Sequence, residues 1–198
     1  MRLGVSLTDL KQEGDRVHVS FADSTDGDYD LVIGADGIHS TVQLAIDASL
    51  SPSYAGSMGW RSIVPKKVQG VEEAVVFYLG DGCLFGVAPM GEGYTYGVGG
   101  VGRERSEDPM VGRLERLRHR FAEFEGLVPS YLAALQSDEQ LHVSPIESLG
   151  LNEWYRGRVV LIGDAAHATV PNMAEGGCMG MEDAFVLVDV LRAEDSLA

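Results

Sequence analysis

The chain has 198 residues, of which 45% are apolar, enough for one sizeable hydrophobic core or two small ones; this composition excludes a disordered protein. Fifteen basic and thirty acidic side chains give a net charge of −15, a field that repels phosphate backbones and anionic lipids, so we expect no nucleic-acid partner and no membrane. No apolar run has signal-peptide or membrane-helix length, and Cys83 and Cys178 fit neither a metal site nor a disulfide framework. We therefore expect a cytoplasmic protein with reduced thiols and no metal.

Two hairpins are predicted for the first thirty residues. Apolar and polar side chains alternate on both sides of the turn Glu13-Gly14-Asp15, as in strands with one buried face. The apolar set is Leu3, Val5, Leu7, Val17, Val19 and Phe21. A second turn over Asp23 to Gly27 leads into Leu31-Val32-Ile33, which predicts a buried strand. This strand ends at Gly34-Ala35-Asp36-Gly37, after which Ser40 is placed to cap a short helix.

The middle of the chain has a different pattern. Short apolar or aromatic segments at residues 75–79, 83–88 and 94–101 are separated by glycine-containing turns, which predicts an antiparallel meander. An amphipathic helix is predicted next, from the apolar residues Val111, Leu114, Leu117, Phe121 and Phe124. Its other positions hold Arg113, Arg116, Arg118 and Arg120. These arginines form either an anion site or a solvated helix face, and because the latter is the commoner arrangement we assign them no role.

The last quarter repeats the strand pattern that precedes Asp36. Val159 to Ile162 form an apolar, mostly β-branched run that ends at Gly163-Asp164, as the earlier strand ends at a glycine and an aspartate. In α/β sheets, ligand-binding loops follow the carboxyl ends of the strands. Both segments therefore predict loops of a binding site.

A glycine-opened helix follows Pro171. Gly176-Gly177 precede apolar residues that recur at helical intervals from Met181 to Leu191. Free N–H groups at such a helix start can stabilise the negative charge that a reduced isoalloxazine ring holds near its pyrimidine edge, and glycines allow close approach. Asp164 at the strand end can accept hydrogen bonds from the hydroxyls of a ribityl chain. Together these features predict a flavin site.

Two long motifs carry a family resemblance. Asp30 to Val42 reads DLVIGADGIHSTV, and Arg158 to Ala184 reads RVVLIGDAAHATVPNMAEGGCMGMEDA. They resemble the Asp-Gly motif and the second flavin motif of the p-hydroxybenzoate hydroxylase-like (aromatic hydroxylase) family, in the family's order and at a similar separation. The resemblance implies an α/β fold of mixed α+β type. Residues 1–48 and 150–198 are expected to be parts of an FAD-binding domain, and residues 49–149 an inserted substrate domain with an antiparallel sheet.

The same resemblance implies an activity and a first group of cofactor-binding residues. The family consists of FAD-dependent, NAD(P)H-consuming monooxygenases that act on aromatic or similar small organic substrates, so a small-molecule substrate is expected. Asp164 is expected to bind the ribityl or pyrophosphate region of FAD, and Pro171 to lie beside the ring. Gly176 and Gly177 are expected to face its pyrimidine edge. No catalytic residue is identified.

A second group of residues has two interpretations. By resemblance, Asp36 and Gly37 serve FAD and the nicotinamide cofactor together, and Gly163 joins the cofactor-binding set. For Gly37 and Gly163, turn geometry after a strand is the alternative explanation. His167 is read either as a proton-transfer group or as a histidine packed behind a loop, and we leave it off the catalytic list.

The sequence departs from the family pattern in three places. Gln43 stands where the family commonly has arginine, Ala174 to Cys178 replaces a Gly-Gln-Gly-x-Asn loop, and no strand with Gly-x-Gly-x-x-Gly and a helix precedes Asp36. We therefore expect a shortened chain or a natural short relative that binds FAD weakly and forms a homo-oligomer. Two function classes stay open: the monooxygenase, and a non-catalytic remnant of the flavoprotein fold that serves binding or assembly.

Overall fold

A computed structural model describes residues 1–71 and 74–193. Within these ranges the chain forms eleven strands and five α-helices. In chain order they are β1 (Leu7–Glu13), β2 (Arg16–Phe21), β3 (Asp26–Tyr29), β4 (Val32–Gly34), α1 (Gln43–Ile46), β5 (Ser53–Val64), β6 (Val76–Gly80), β7 (Cys83–Pro89), β8 (Thr95–Gly102), α2 (Arg113–Arg120), α3 (Val128–Ala134), β9 (Leu141–Ser148), β10 (Tyr155–Arg156), β11 (Val159–Leu161), α4 (Asp164–His167) and α5 (Gly176–Ala193). None of the helices in these ranges has the length and apolar composition that crossing a bilayer requires.

The chain divides into two compact units. Unit 1 contains residues 1–53 and the chain from Glu147 onwards, and unit 2 contains Tyr54–Ile146. The mixture of helices with parallel and antiparallel strands confirms the predicted fold class.

Unit 1 contains two three-stranded sheets. In the first, β1, β2 and β3 form an antiparallel meander, which confirms both predicted hairpins. In the second, β10, β11 and β4 lie in that order. The pairing of β11 with β4 is parallel, with Val159 opposite Val32 and Leu161 opposite Gly34. The two strands that lead into the motif loops are therefore neighbours, as the sequence predicts.

The core of unit 1 requires a glycine at position 34. Its buried side chains come from β2, α1 with the preceding residue Val42, β11 and α4: Val17, Val19, Val42, Ile46, Val159, Leu161, Ala165 and Ala166. A Cβ on Gly34 would lie 2.6 Å from Leu161 Cδ2 and 2.8 Å from Val42 Cβ. The absence of a side chain at this position therefore lets β4 pack tightly against its neighbours.

Two details of unit 1 differ from the sequence prediction. Leu3 is 79% exposed and precedes β1, and the register of β1 is irregular between Leu7 and Asp9, so the alternation does not extend to residue 3. Ile33 is 44% exposed because it lies on the face of β4 opposite to Gly34, and the strand is buried on that one face only.

Unit 2 is built on a five-stranded sheet with the order β6-β7-β8-β5-β9. The antiparallel pairs β6–β7 and β7–β8 confirm the predicted meander. Strands β5 and β9 were not predicted, because Gly56, Gly59 and Ser62 interrupt the apolar pattern of β5 and Pro145 lies inside β9. Proline is tolerated there because β9 is the edge strand within the described residues.

Aromatic rings fill the core of unit 2. The ring centroid of Phe85 lies 4.9 Å from that of Phe121 and 5.8 Å from that of Tyr131. Tyr131 packs where Gly97 has no side chain, since a Cβ there would overlap the Tyr131 ring. Burial raises the pKa of the Tyr131 hydroxyl to about 12, and this hydroxyl donates a hydrogen bond to Ser62 O at 2.9 Å.

The amphipathic helix is shorter than predicted. Helix α2 begins after Gly112, which has a φ of 75°, so Val111 precedes the helix and is 85% exposed. Asp138 accepts hydrogen bonds from the N–H groups of Leu114 at 2.7 Å and Gly112 at 2.8 Å. Those N–H groups, Leu114 first, lower the pKa of Asp138 below its usual value. A carboxylate distant in sequence therefore fixes the start of this helix.

Three of the four α2 arginines, Arg116, Arg118 and Arg120, are exposed, as a solvated helix face requires, whereas the Arg113 side chain is only 12% exposed. Arg113 and Arg116 form ion pairs with Asp108 at 2.7 and 3.0 Å, and the Asp108 side chain is only 8% exposed. Arg118 donates to the carbonyl of Leu135 at 2.7 Å. These side chains satisfy carboxylate and carbonyl oxygens that the sequence pattern does not reveal.

Candidate functional site

The carboxyl ends of β4 and β11 lie side by side in unit 1. The parallel register continues beyond the paired residues, because Ile162 N donates to Gly34 O at 3.0 Å. The loop with Asp36 and the loop with Gly163 and Asp164 therefore leave the sheet at the same edge, where α/β proteins bind ligands.

Asp36 is held by its own loop. Its Oδ1 accepts a hydrogen bond from Ser40 Oγ at 2.5 Å, and its Oδ2 accepts one from Thr41 N at 2.7 Å and one from Val42 N at 3.3 Å. Ser40 Oγ in turn accepts from Gln43 N at 2.9 Å, which confirms its predicted capping role. These contacts give Asp36 a structural function at the start of α1.

Gly37 and Gly163 both have backbone conformations that favour glycine. Gly37 has a φ of 82°, and Gly163 has a φ of 59° with a ψ of −144°. Turn geometry alone therefore accounts for the residue type at each position. Their predicted contact with a cofactor stays a prediction.

The Asp164 carboxylate, unlike that of Asp36, is not held by hydrogen bonds from its own loop. Asp164 is the first residue of α4 and is exposed, and its side chain makes no hydrogen bond within the described residues. Its Oδ1 lies 3.8 Å from the position that a Cβ on Gly176 would occupy. A carboxylate with free acceptor positions thus lies beside the start of α5.

The first turn of α5 provides free donors. The first helical hydrogen bond there runs from Met179 N to Glu175 O at 3.0 Å, and the N–H groups of residues 176–178 have no partner within the described part of the chain. No acidic side chain lies in this turn, and a Cβ on Gly177 would meet nothing within 4 Å. Pro171 begins the exposed 3₁₀ turn Pro171–Met173 on the approach to α5.

Asp183 was missed in the sequence analysis. Its Oδ2 accepts a hydrogen bond from Gly163 N at 2.7 Å and lies 2.6 Å from His167 Nε2. One turn earlier, α5 contacts the same loop through Gly180, where a Cβ would lie 3.2 Å from Gly163 Cα. The sequence does contain an indication, since Gly176, Gly180 and Asp183 follow the i, i+4, i+7 spacing of one helix face.

These groups suit the flavin end of FAD. The exposed Asp164 carboxylate can accept hydrogen bonds from ribityl hydroxyls, and the free N–H groups at Gly176 and Gly177 can donate to an electron-rich ring edge. The open space at Gly177 leaves room for a flat ring to approach the backbone.

Comparisons with known proteins agree with this chemistry. A family model described as "FAD binding domain" matches residues 1–194. The 2-heptyl-3-hydroxy-4(1H)-quinolone synthase of Pseudomonas aeruginosa is 37% identical over 191 residues, which cover 94% of this chain and 50% of that protein. The aurachin C monooxygenase/isomerase of Stigmatella aurantiaca is 33% identical over 196 residues, 98% of this chain and 51% of that protein.

A solved structure shows the same fold. The crystal structure of Klebsiella pneumoniae HpxO complexed with FAD and uric acid matches with a TM-score of 0.90 and 28% identity, and covers 98% of this chain and 51% of that one. The chain thus spans about half the length of the relatives that it matches.

Proposed function

The chain belongs to the FAD binding domain family, and from this membership we infer that it binds FAD. We propose that it takes part in the reaction of an FAD-dependent monooxygenase that acts on an aromatic or similar small organic substrate. One observation carries the proposal. Asp164, whose carboxylate has no partner in residues 1–71 and 74–193, lies beside the N–H groups that begin at Gly176 and are likewise unpaired in these ranges, next to the end of a parallel strand pair. This arrangement combines an acceptor for hydroxyls with donors for an anionic edge.

Each residue of the proposed site has a separate task. Asp164 accepts hydrogen bonds from the ribityl chain, and the N–H groups of Gly176 and Gly177 donate to the pyrimidine edge of the ring. Pro171 borders the ring, and Gly163 allows the turn that presents Asp164. Asp36 and Gly37 shape the neighbouring loop. When bound, FAD supplies the redox chemistry, in which electrons from NAD(P)H are used to activate O₂.

The relatives support the proposed substrate class. The quinolone synthase is named for a heterocyclic compound, and the HpxO crystal structure contains uric acid, another heterocyclic compound. We extend this class to the present chain and propose NAD(P)H as the electron donor. The second candidate function is a non-catalytic flavoprotein-type fold. Titration of the chain with FAD distinguishes it from the monooxygenase.

Titration of FAD with the 198-residue protein tests the proposal. We expect quenching of flavin fluorescence and a shift of the visible flavin bands as FAD binds. Riboflavin, which has the ring and the ribityl chain, is the matched control ligand. Unchanged fluorescence and absorbance at saturating protein concentrations would support the non-catalytic alternative.

Self-association is proposed as well. Helix α5 has no buried side chain, and Met181, Phe185 and Val188 are 60%, 74% and 43% exposed. An exposed apolar helix face of this kind favours pairing with a second copy. We expect multi-angle light scattering to give a dimer or larger species that Phe185→Glu shifts towards monomer. A monomeric wild-type protein at high concentration contradicts this proposal.

A further inference from the structure

One carboxylate oxygen connects two parts of the proposed flavin site. Asp183 Oδ2 lies 2.7 Å from Gly163 N and 2.6 Å from His167 Nε2. Gly163 and His167 delimit the segment between β11 and the end of α4, whereas Asp183 belongs to α5. The oxygen therefore joins the segment that carries Asp164 to the helix whose first turn carries the free N–H groups.

This connection is shielded from water. The side chains of His167 and Asp183 are only 10% and 17% exposed. The ring of Trp154 packs on that of His167 with 4.8 Å between centroids, and a Cβ on Gly180 would lie 3.2 Å from Gly163 Cα. In such surroundings a hydrogen bond is stronger than at the surface, and loss of one partner costs more.

The geometry also selects a tautomer of His167. A carboxylate only accepts hydrogen bonds, so the ring nitrogen that faces Asp183, Nε2, is the donor. The other nitrogen, Nδ1, is buried and has no hydrogen-bond partner within the described residues. Of the two neutral tautomers, the one with the proton on Nε2 therefore avoids a buried N–H without an acceptor.

We propose that Asp183 and His167 are positioning residues of the flavin site. Asp183 holds the Gly163 turn against α5, and His167 holds the Asp183 carboxylate in place. In this way the pair fixes the Asp164 carboxylate relative to the first turn of α5 without touching the cofactor. The inference rests on the proposed function, and it identifies the part of the fold that sets the geometry of that site.

Flavin binding by single variants tests the positioning role. We expect Asp183→Ala to weaken FAD binding about tenfold, the scale of removing a group that orients a ligand-binding residue without touching the ligand. The matched control is Asp189→Ala, because Asp189 lies on the same helix, is exposed, and its side chain makes no hydrogen bond within the described residues. This control is expected to bind FAD as the wild type does.

Two substitutions of His167 separate positioning from packing. His167→Gln keeps an N–H donor near the position of Nε2 and is expected to retain FAD affinity, whereas His167→Phe fills the space without a donor and is expected to weaken binding about tenfold. Nitrogen-15 NMR of the ring supplies a readout independent of flavin. We expect the Nε2–H tautomer in the wild type, and in Asp183→Ala the loss of the chemical-shift signature of the Nε2–H hydrogen bond to Asp183.

The outcomes distinguish this inference from the proposed function. If Asp164→Ala weakens FAD binding but Asp183→Ala and His167→Phe bind FAD like the wild type, the positioning role is wrong and the proposed site stands. If His167→Gln and His167→Phe are equally impaired, the donor is irrelevant and the positioning role is also wrong. If the wild type itself does not bind FAD, the proposed function fails and the inference fails with it.

Discussion

Replacing Asp164 by alanine is expected to weaken the binding of FAD about 30-fold, equivalent to about 2 kcal/mol, the free energy of a hydrogen bond to a charged group. The physical reason is that Asp164 is the carboxylate with unused acceptor positions at the end of the motif strand β11. The measurement is a flavin fluorescence titration of the wild-type and variant chains under identical conditions. Riboflavin binding is expected to weaken by a similar factor, because the ribityl chain is common to both ligands.

Asp36, in the loop that leaves the sheet beside Asp164, provides the matched control. The Asp164 side chain has no hydrogen bond within the described residues, so loss of its carboxylate is expected to leave the midpoint of urea unfolding unchanged. Asp36 accepts three hydrogen bonds, and Asp36→Ala is expected to lower the free energy of unfolding by about 1 kcal/mol, as for other capping residues. An Asp164→Ala protein that binds FAD with wild-type affinity would show that this carboxylate does not contact the cofactor.

Replacing Gly34 by alanine is expected to destabilise unit 1 strongly. The added methyl group would lie 2.6 Å from Leu161 Cδ2 and 2.8 Å from Val42 Cβ, and both side chains belong to the buried core. Overpacking of this kind costs about 1–3 kcal/mol, which for a chain of this size corresponds to a fall in the melting temperature of about 2–12 °C. Thermal unfolding followed by circular dichroism measures this change.

Gly150→Ala is the control for that substitution. A Cβ on Gly150 meets nothing within 4 Å, and its φ is not in the left-handed region, so the melting temperature is expected to stay at the wild-type value. Equal melting temperatures for Gly34→Ala and the wild type would mean that β4 does not pack against α1 and β11 as described.

The elements that the sequence predicts best are those whose pattern is local. The parallel pairing of Val32 with Val159 could be expected because both strands are apolar runs that end in a glycine and an aspartate. The strand β5 could not, since Gly59 and Ser62 occupy positions in its buried middle, where Ile146 packs over Gly59 and the Tyr131 hydroxyl bonds to Ser62.

Within the candidate site, too, features that follow from a local motif are predictable, and contacts between residues distant in sequence are not. The free carboxylate of Asp164 and the glycine start of α5 follow from the motif, whereas the bond from Gly163 to Asp183 joins residues twenty positions apart and depends on how α5 packs. Arg113 and Arg116 of α2 illustrate the limit as well, because their partner Asp108 precedes the helix and its burial has no sequence pattern.

The most direct test of the proposed site is a map of the residues that FAD perturbs. Two-dimensional ¹H–¹⁵N NMR spectra recorded during a titration with FAD are expected to show the largest amide shifts at Gly163, Asp164 and residues 176–178, with smaller changes in the Asp36 loop. Shifts confined to unit 2, or spectra that do not change at FAD concentrations that saturate the fluorescence signal, would contradict the assignment of the flavin site to these loops.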